Sequence, residues 1–216
     1  MNVLYEDNHL LVVIKPPGVP TQADSSGDID MLTIAKQYIK EKYNKPGDVY
    51  LGMVHRLDRP VGGVMVFART SKAASRLSEQ IKKGIFKKTY ICMCEGKPKG
   101  GKFEHYLLKD SKTNKVSAVD RDTKGAKYSL LKYEVLKYED GISTCQVNLI
   151  TGRSHQIRVQ FAASGYPLVN DMKYNKKAKP GNWIALYSKA IEFEHPIKKE
   201  PVEFSAPDID LLNVHT

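Results

Sequence analysis

The sequence predicts a mixed α+β fold in which a mainly antiparallel sheet is flanked by helices. Three observations support this fold class. Apolar and β-branched runs alternate with amphipathic stripes, turn residues separate the two kinds of segment, and 216 residues with 41% hydrophobic content can bury roughly 70% of the surface that an unfolded chain exposes. No repeat of fixed period and no long linker divides the sequence, so we expect a single domain over residues 1–216.

The first segment predicts a β-hairpin. Residues 3–14 form two β-rich runs around an Asp-Asn turn signal. Pro16 and Pro17 end the second run because proline donates no ladder hydrogen bond. Apolar side chains then recur at helical spacing across residues 31–39, with Asp30 in a capping position. We therefore expect a hairpin followed by an amphipathic helix.

A buried strand and a second helix are predicted next. Residues 64–68 are uniformly apolar, which is typical of a buried strand, and the stripe across residues 71–83 predicts a helix that Gly84 ends. Residues 90–94 predict another strand, whereas the Lys-, Gly-, Asp- and Ser-rich residues 97–125 favour an irregular excursion at the surface. The remaining pattern predicts strands at 128–138 and 143–150 joined by a turn at 139–141, a helix from 154 to 165, and short strands at 184–187 and 191–193.

Charge narrows the class of partner. The 34 Lys and Arg against 24 Asp and Glu leave a net charge of +10, which attracts a polyanion such as nucleic acid, an acidic membrane surface or a phosphorylated ligand. No apolar run approaches the ~20 residues that span a bilayer, and the first residues lack the features of a signal peptide. The three cysteines, Cys92, Cys94 and Cys145, suit free thiols in a reducing compartment. We therefore expect a cytoplasmic protein without membrane contact.

Several catalytic classes lose their usual support. The sequence has no GxSxG elbow, no Walker loop and no GxGxxG after a strand. His55, Asp58 and His155 lack the spacing of a metal site, and the Cys-x-Cys step at Cys92 and Cys94 has no second cysteine pair. Hydrolase, NTPase and dehydrogenase chemistry are therefore disfavoured, and we expect neither a metal nor a cofactor.

Three polar segments stand apart from ordinary core packing. They are the loop at residues 54–63, the basic step at 86–90, and residues 149–158, which place two Arg, a His and a Gln at the start of a helix. Taken singly, each has an ordinary structural explanation: a solvated turn with a local ion pair, a tyrosine in the core, or charges on a helix face. Their combination and order carry the functional signal.

Together these segments resemble the RNA pseudouridine synthases, specifically the family typified by ribosomal large-subunit synthase A. The resemblance covers nearly the whole chain, through residues 10–20, 51–64, 88–90, 149–158, 165–171 and 193–196. The pairing of HRLD at 55–58 with TGRSHQIR at 151–158 is highly specific. The chain departs from the family pattern at Val61, Gly62, Gln160, Asn170 and Asn175.

The resemblance implies one catalytic domain with a central cleft. Many relatives also carry a small N-terminal RNA-binding module, but this sequence starts directly at the catalytic-domain hairpin, so we expect no separate module of that kind. It implies that Asp58 is the catalytic carboxylate, acting on a uridine whose ribose–N1 bond is broken and whose base is rejoined through carbon 5. Tyr90 is implied as the active-site tyrosine, with a ring that can stack on uracil. Arg158 is the natural partner of Asp58, because a guanidinium favours the charged carboxylate and fixes its orientation. We hypothesise that Asp58 and Arg158 form a buried pair.

The predicted partner is structured RNA, a loop of ribosomal or transfer RNA, bound by a monomer. The target uridine must be flipped out of its stack to reach Asp58. Arg56 is implied to occupy the vacated position or hold a flanking phosphate, and Leu149 to form an apolar wall beneath the base. The other predicted RNA-binding residues are His55, Lys87, Lys88, Arg153 and Gln156. Lysine clusters elsewhere add attraction to phosphate that is independent of base sequence.

Two other functions fit parts of the same sequence. A non-catalytic RNA-binding or RNA-folding module could use the same scaffold, but the intact Asp58, Tyr90 and Arg158 disfavour it. A basic nuclease would need a metal cluster or a His pair, which the sequence does not provide. The target uridine, and the choice between a covalent and a glycal route, stay open at this point.

Overall fold

The fold is mixed α+β, as the sequence predicts. The computed structural model describes residues 1–209 and 211, and the elements that follow are those of the described residues. The helices are α1 (Met31–Lys42), α2 (Ser71–Lys82) and α3 (Gln156–Ala163). The strands are β1 (Asn2–Glu6), β2 (Leu10–Lys15), β3 (Gly52–Met53), β4 (Gly62–Ala68), β5 (Lys87–Glu95), β6 (Gly101–Asp110), β7 (Lys115–Val119), β8 (Lys127–Glu139), β9 (Ile142–Leu149), β10 (Leu186–Glu194) and β11 (Pro201–Ser205).

The chain divides into two compact units. Unit 1 comprises Met1–Lys88 and Ser188–Pro207, and unit 2 comprises Thr89–Tyr187 with the described residues from Asp208 onward. A single catalytic domain over residues 1–216 stays a prediction, because compactness alone does not show whether either unit folds independently. None of the helices formed by the described residues is long and apolar enough to span a membrane.

Unit 1 is built on a sheet with a continuous apolar centre. β1 pairs with β2, β2 with β4, and β4 with β10, while β3 adds to β4 and β11 to β10. Every residue of β4 is buried, so the uniformly apolar run predicted to be a buried strand is confirmed. The predicted hairpin is confirmed by β1 and β2, and β2 ends at Lys15, immediately before the two prolines.

Both predicted helices of unit 1 are confirmed. The carboxylate of Asp30 caps α1 by accepting from the Thr33 amide at 3.1 Å, as the sequence predicts. Thr70 caps α2 by accepting from the Ala73 amide at 3.2 Å. Gly84 follows the end of α2 with φ of +71°, a conformation that glycine adopts without the steric cost of a Cβ atom. The helices bury short apolar stripes, which are Met31, Ala35 and Ile39 in α1 and Ala73 and Leu77 in α2.

Unit 2 is an antiparallel sheet whose long β8–β9 hairpin leads into the third helix. The strand order is β5-β9-β8-β6-β7. Asp140 and Gly141, with φ of +50° and +81°, form the predicted tight turn between β8 and β9, since both central positions of such a turn need positive φ. Helix α3 packs on the β6–β7 side of this sheet, where Phe161 lies edge-on to Phe103 with centroids 5.0 Å apart.

Two expectations about secondary structure are wrong. Residues 97–125 are not irregular, since they contain β6 and β7, and β6 pairs with β8 over Gly101–Leu107. The polar composition of this segment hides an alternation in which Phe103 and Leu107 pack inward. The two short strands predicted at 184–187 and 191–193 are one strand, β10. The polar residue Ser188 near the centre of β10 finds a hydrogen-bond partner within the sheet, because its hydroxyl donates to the Val64 carbonyl at 3.0 Å.

Candidate active site

The loop that carries Asp58 connects β3 to β4 in unit 1. Asp58 is half-buried and Leu57 before it is buried. The carbonyl of Asp58 accepts from the Val61 amide at 2.9 Å, which forms a tight turn directly before the buried strand β4. The catalytic candidate therefore projects from a turn whose exit is fixed by the centre of the sheet.

Two buried side chains hold the backbone on either side of Asp58. Thr21 donates its hydroxyl to the Leu57 carbonyl at 2.8 Å and accepts from the Leu57 amide at 3.2 Å. Lys15, which is 0% exposed, donates to the carbonyls of Pro16, Val19 and Arg59 at 2.9, 2.7 and 3.0 Å. These contacts restrain the residues before and after Asp58.

The buried ammonium of Lys15 has an unusual acid–base character. Burial lowers the pKa of Lys15 to about 7, a shift that the negative charge of Asp58 opposes and the positive charge of Arg59 reinforces. Neither Lys15 nor Thr21 was predicted as a site residue. The sequence carried one signal for Lys15: it is the single lysine at the end of an otherwise apolar strand, where a buried ammonium needs oxygen acceptors nearby.

His55 belongs to the same loop, and its ring is buried inside unit 1. Its Nε2 accepts from the Val66 amide at 3.1 Å, and its ring lies 5.5 Å from that of Phe86. Its Nδ1 is buried and finds no hydrogen-bond partner among the described residues. Burial, with a smaller contribution from the charge of Lys88, lowers the pKa of His55 to about 3. The expected RNA contact by His55 does not fit this position, because a neutral ring with both nitrogens covered ties the loop to β4.

The basic candidates of unit 1 differ in exposure. Arg56 is exposed, as a phosphate contact requires. Lys87 is also exposed and pairs with Glu192 at 3.2 Å, whereas Lys88 is half-buried and burial lowers its pKa. Arg59 donates through Nε to the Gly18 carbonyl at 2.9 Å and forms an ion pair with Asp28.

Two candidates of unit 2 lie on neighbouring strands. Tyr90 is buried in β5 and faces Val147 across the β5–β9 pair. Leu149 is the last residue of β9 and is half-buried.

The three cysteines are free and buried. Among residues 1–209 and 211, no group of three or more His, Cys, Asp or Glu side chains is arranged to hold a metal ion.

The segment that leads into α3 is shaped by Gln156. Its carbonyl oxygen accepts from the Thr151 hydroxyl at 2.8 Å and the Arg153 amide at 2.9 Å, and its amide donates to the Leu130 carbonyl at 3.1 Å. Gln156 is buried, so its polar groups serve the loop, and a direct contact with RNA does not fit. Arg153 is exposed and donates through Nε to the Tyr128 carbonyl at 3.1 Å.

Arg158 is buried and faces a carboxylate that was not predicted. Its Nε donates to Asp171 Oδ2 at 2.9 Å and its Nη2 to Asp171 Oδ1 at 2.6 Å. This is the bidentate geometry that makes Arg–carboxylate pairs strong and directional. The predicted pairing of Arg158 with Asp58 stays a prediction. Asp171 belongs to a segment that carries the family resemblance, but it lies 13 residues beyond Arg158, too far for local spacing to reveal the contact.

Three of the positions that depart from the family pattern have structural roles in unit 2. Gln160 donates to the carbonyls of Phe103 and Ser129 at 3.0 and 3.2 Å. Asn175 donates to the Leu168 carbonyl at 2.9 Å. Asn170 has φ of +58°, a left-handed conformation that asparagine tolerates better than most residues.

The fold is that of the pseudouridylate synthases. The chain superimposes on the human RNA pseudouridylate synthase domain containing 4 with a TM-score of 0.79, at 20% identity over 95% of this chain and 88% of the other. It superimposes on the human RNA pseudouridylate synthase domain containing 1 with a TM-score of 0.75, at 23% identity over 96% of this chain and 83% of the other.

Sequence comparison identifies the family. The RNA pseudouridylate synthase family model matches residues 9–163, and the chain therefore belongs to that family of isomerases. It is 31% identical to an uncharacterized RNA pseudouridine synthase of Bacillus subtilis over 96% of this chain and 68% of the relative. It is 33% identical to ribosomal large subunit pseudouridine synthase C of Buchnera aphidicola over 95% of this chain and 66% of that relative. The chain thus spans about two thirds of the length of these relatives.

Proposed function

We propose that this chain isomerises a specific uridine in a loop of ribosomal or transfer RNA to pseudouridine, as an enzyme of the type represented by ribosomal large-subunit synthase A. The observation that carries the proposal is the position of Asp58. The family match spans it, and the residues on both sides of it are held by hydrogen bonds from the buried side chains of Thr21 and Lys15. A restrained carboxylate suits catalysis, because a reacting group must be held in a productive geometry.

The reaction needs no external electron or group donor. Asp58 acts as a nucleophile, or as a base that removes a ribose proton, while the bond between N1 and the ribose breaks. The uracil turns, carbon 5 bonds to the ribose, the proton on carbon 5 is lost, and N1 gains a proton, so the atoms of the nucleotide are conserved. Arg158 pairs with the carboxylate and fixes its orientation, and Tyr90 stacks on the base.

The RNA contacts follow from exposure. Arg56, Lys87 and Arg153 are exposed and suit phosphate or the position vacated by the flipped uridine, and Leu149 forms the apolar wall beneath the base. Flipping costs a few kcal/mol and is easiest where the base is poorly stacked, which favours a loop as the target. We further propose that the protein is a monomer and that it acts in the cytoplasm without membrane contact. Size-exclusion chromatography with light scattering tests the first point, and cell fractionation tests the second.

The decisive experiment is to map pseudouridine in total RNA from cells with and without the protein, by carbodiimide-dependent reverse-transcription stops, and to complement with variants. Asp58→Asn should abolish the stops that the wild-type chain produces, while RNA affinity stays within about threefold because the amide keeps the shape of the side chain. Asp48→Asn, at an exposed acidic residue outside the site, is the control and should restore the stops.

Each outcome decides between functions. Stops produced by Asp58→Asn would remove Asp58 from the chemistry. A map that does not change with the wild-type protein, together with retained RNA binding, would favour the non-catalytic RNA-binding module instead.

A further inference from the structure

We propose that Asp171 and Tyr174 are positioning residues that fix the direction of the Arg158 guanidinium. This inference rests on the proposed function, in which Arg158 acts on the carboxylate of Asp58. It concerns two residues of unit 2, Asp171 and Tyr174, to which the family resemblance assigned no role. Both contact Arg158, and the three side chains restrain one another.

Asp171 restrains the guanidinium along one edge. Its two oxygens accept from Nε and Nη2 of Arg158 at 2.9 and 2.6 Å, and the side chains of Asp171 and Arg158 are 0% and 6% exposed. A guanidinium is planar, so two parallel hydrogen bonds define its plane and thereby the direction of its other N–H donors. An arginine with a single, mobile partner would have no such fixed direction.

Asp171 is itself held in place. Its Oδ1 also accepts from the Lys173 amide at 3.0 Å. Its backbone amide donates to the Leu168 carbonyl at 3.3 Å, and its carbonyl accepts from the Asn175 amide at 2.8 Å. The carboxylate therefore has little freedom to follow a displaced arginine.

Tyr174 restrains the face of the same group. The Cζ atom of Arg158 lies 5.2 Å from the centroid of the Tyr174 ring, within the range of a cation–π contact. The Tyr174 hydroxyl accepts from the Val116 amide at 2.9 Å and lies 2.7 Å from His155 Nδ1. The ring is thus anchored at its far end to β7 and to the residue that precedes α3.

The pairing of Arg158 with Asp171 orients more than it stabilises. A buried ion pair is a weak source of stability, because the desolvation of both charges offsets their attraction. It is a strong source of orientation, since both partners lose their freedom together. We therefore assign to Asp171 and Tyr174 the task of presenting the remaining donors of Arg158 to its catalytic partner.

The test compares conservative variants at each position by steady-state kinetics on the RNA that the pseudouridine map identifies. Asp171→Asn should lower kcat by about 100-fold and leave KM within about threefold, because the group acts on the transition state and does not bind RNA.

Two further variants grade the effect. Asp171→Glu keeps the charge and should recover part of kcat, and Tyr174→Phe keeps the ring and should lower kcat by about fivefold to tenfold. Asp30→Asn is the structural control, because Asp30 is similarly buried but caps α1. It should lower stability and leave kcat per folded molecule unchanged. All rates are normalised to the folded fraction measured by circular dichroism.

A variant of Arg158 separates the two levels of the hypothesis. If Arg158→Met keeps the wild-type kcat, the assignment of Arg158 in the proposed function is wrong. If Arg158→Met is inactive while Asp171→Asn keeps the wild-type kcat, the positioning inference alone is wrong. If both lose activity, the double variant should be no less active than Arg158→Met, because Asp171 acts only through Arg158. Additive losses would contradict the inference.

Discussion

The two motif-bearing loops are stabilised in opposite ways. In unit 1, the loop of Asp58 is held by His55 and Lys15, and burial disfavours the charged form of both side chains. His55 is neutral, and the ammonium of Lys15 is surrounded by backbone carbonyls. In unit 2, the segment before α3 rests on a neutral amide, Gln156, while the charge of Arg158 meets the full opposite charge of Asp171. Unit 1 therefore fixes the backbone beside Asp58, and unit 2 fixes the guanidinium of Arg158.

The difference follows from what each loop presents. A carboxylate on a short side chain is placed well when the backbone beside it is fixed, so hydrogen bonds to residues 57 and 59 suffice. An arginine has a long, rotatable side chain, and fixing its backbone leaves the guanidinium free to turn. It needs a partner at the end of the side chain, which Asp171 provides.

The first prediction concerns Lys15 and has the largest expected effect on stability. Lys15→Met should lower the free energy of unfolding by about 3 kcal/mol, because three carbonyls lose the donor of a buried side chain at once. Urea unfolding measures this change. Lys36→Met, at an exposed position of α1, is the control and should stay within about 0.5 kcal/mol. Equal effects of the two variants would contradict the claim that Lys15 holds the loop.

The second prediction tests the corresponding residue of unit 2. Gln156→Leu should lower the free energy of unfolding by about 2 kcal/mol, because the Thr151 hydroxyl, the Arg153 amide and the Leu130 carbonyl lose their partner. Gln37→Leu changes an exposed glutamine of α1 and should have little effect. If Gln156→Leu is equally neutral, the segment before α3 is held by other contacts.

The third prediction concerns the buried neutral state of His55. Its folded pKa, about 3, lies below the ordinary value of 6.5, so the unfolded chain binds the proton more readily. The stability due to the neutral ring is thus present above pH 6.5 and is lost as the pH falls toward 3.

Urea unfolding at two pH values tests this linkage. Between pH 7 and pH 5.5 the contribution of His55 should fall by about 1 kcal/mol. His55→Gln keeps an acceptor for the Val66 amide and should show a smaller loss over that interval. An identical pH dependence in the two proteins would mean that His55 titrates in the folded state.

The smallest effect is expected at the exposed basic residues. Lys87→Met should change the free energy of unfolding by less than about 0.5 kcal/mol, because an exposed ion pair contributes little. It should reduce the slope of log affinity for RNA against log salt concentration by about 1 if Lys87 meets a phosphate. Lys36→Met again provides the comparison. An unchanged slope would remove Lys87 from the RNA interface.

Local pattern was sufficient for most of the fold. The hairpin at the start, both helices of unit 1 and the turn at Asp140 and Gly141 are confirmed, because each depends on neighbours within a few residues. The errors occurred where distant partners compensate for local composition. Polar residues 97–125 become strands because β8 pairs with β6 and α3 packs on its apolar side. Ser188 continues β10 because a carbonyl of β4 accepts its hydroxyl.

The sequence by itself determined the fold class and, through its two motif segments, the family to which the chain belongs. It could not determine which polar residues face inward. His55 and Gln156 were expected to contact RNA and are buried, whereas Lys15, Thr21, Asp171 and Tyr174 attracted no prediction and hold the candidate residues in place. Only the tertiary structure decides this, because the energy of a buried polar group depends on partners that the chain brings together across long sequence separations.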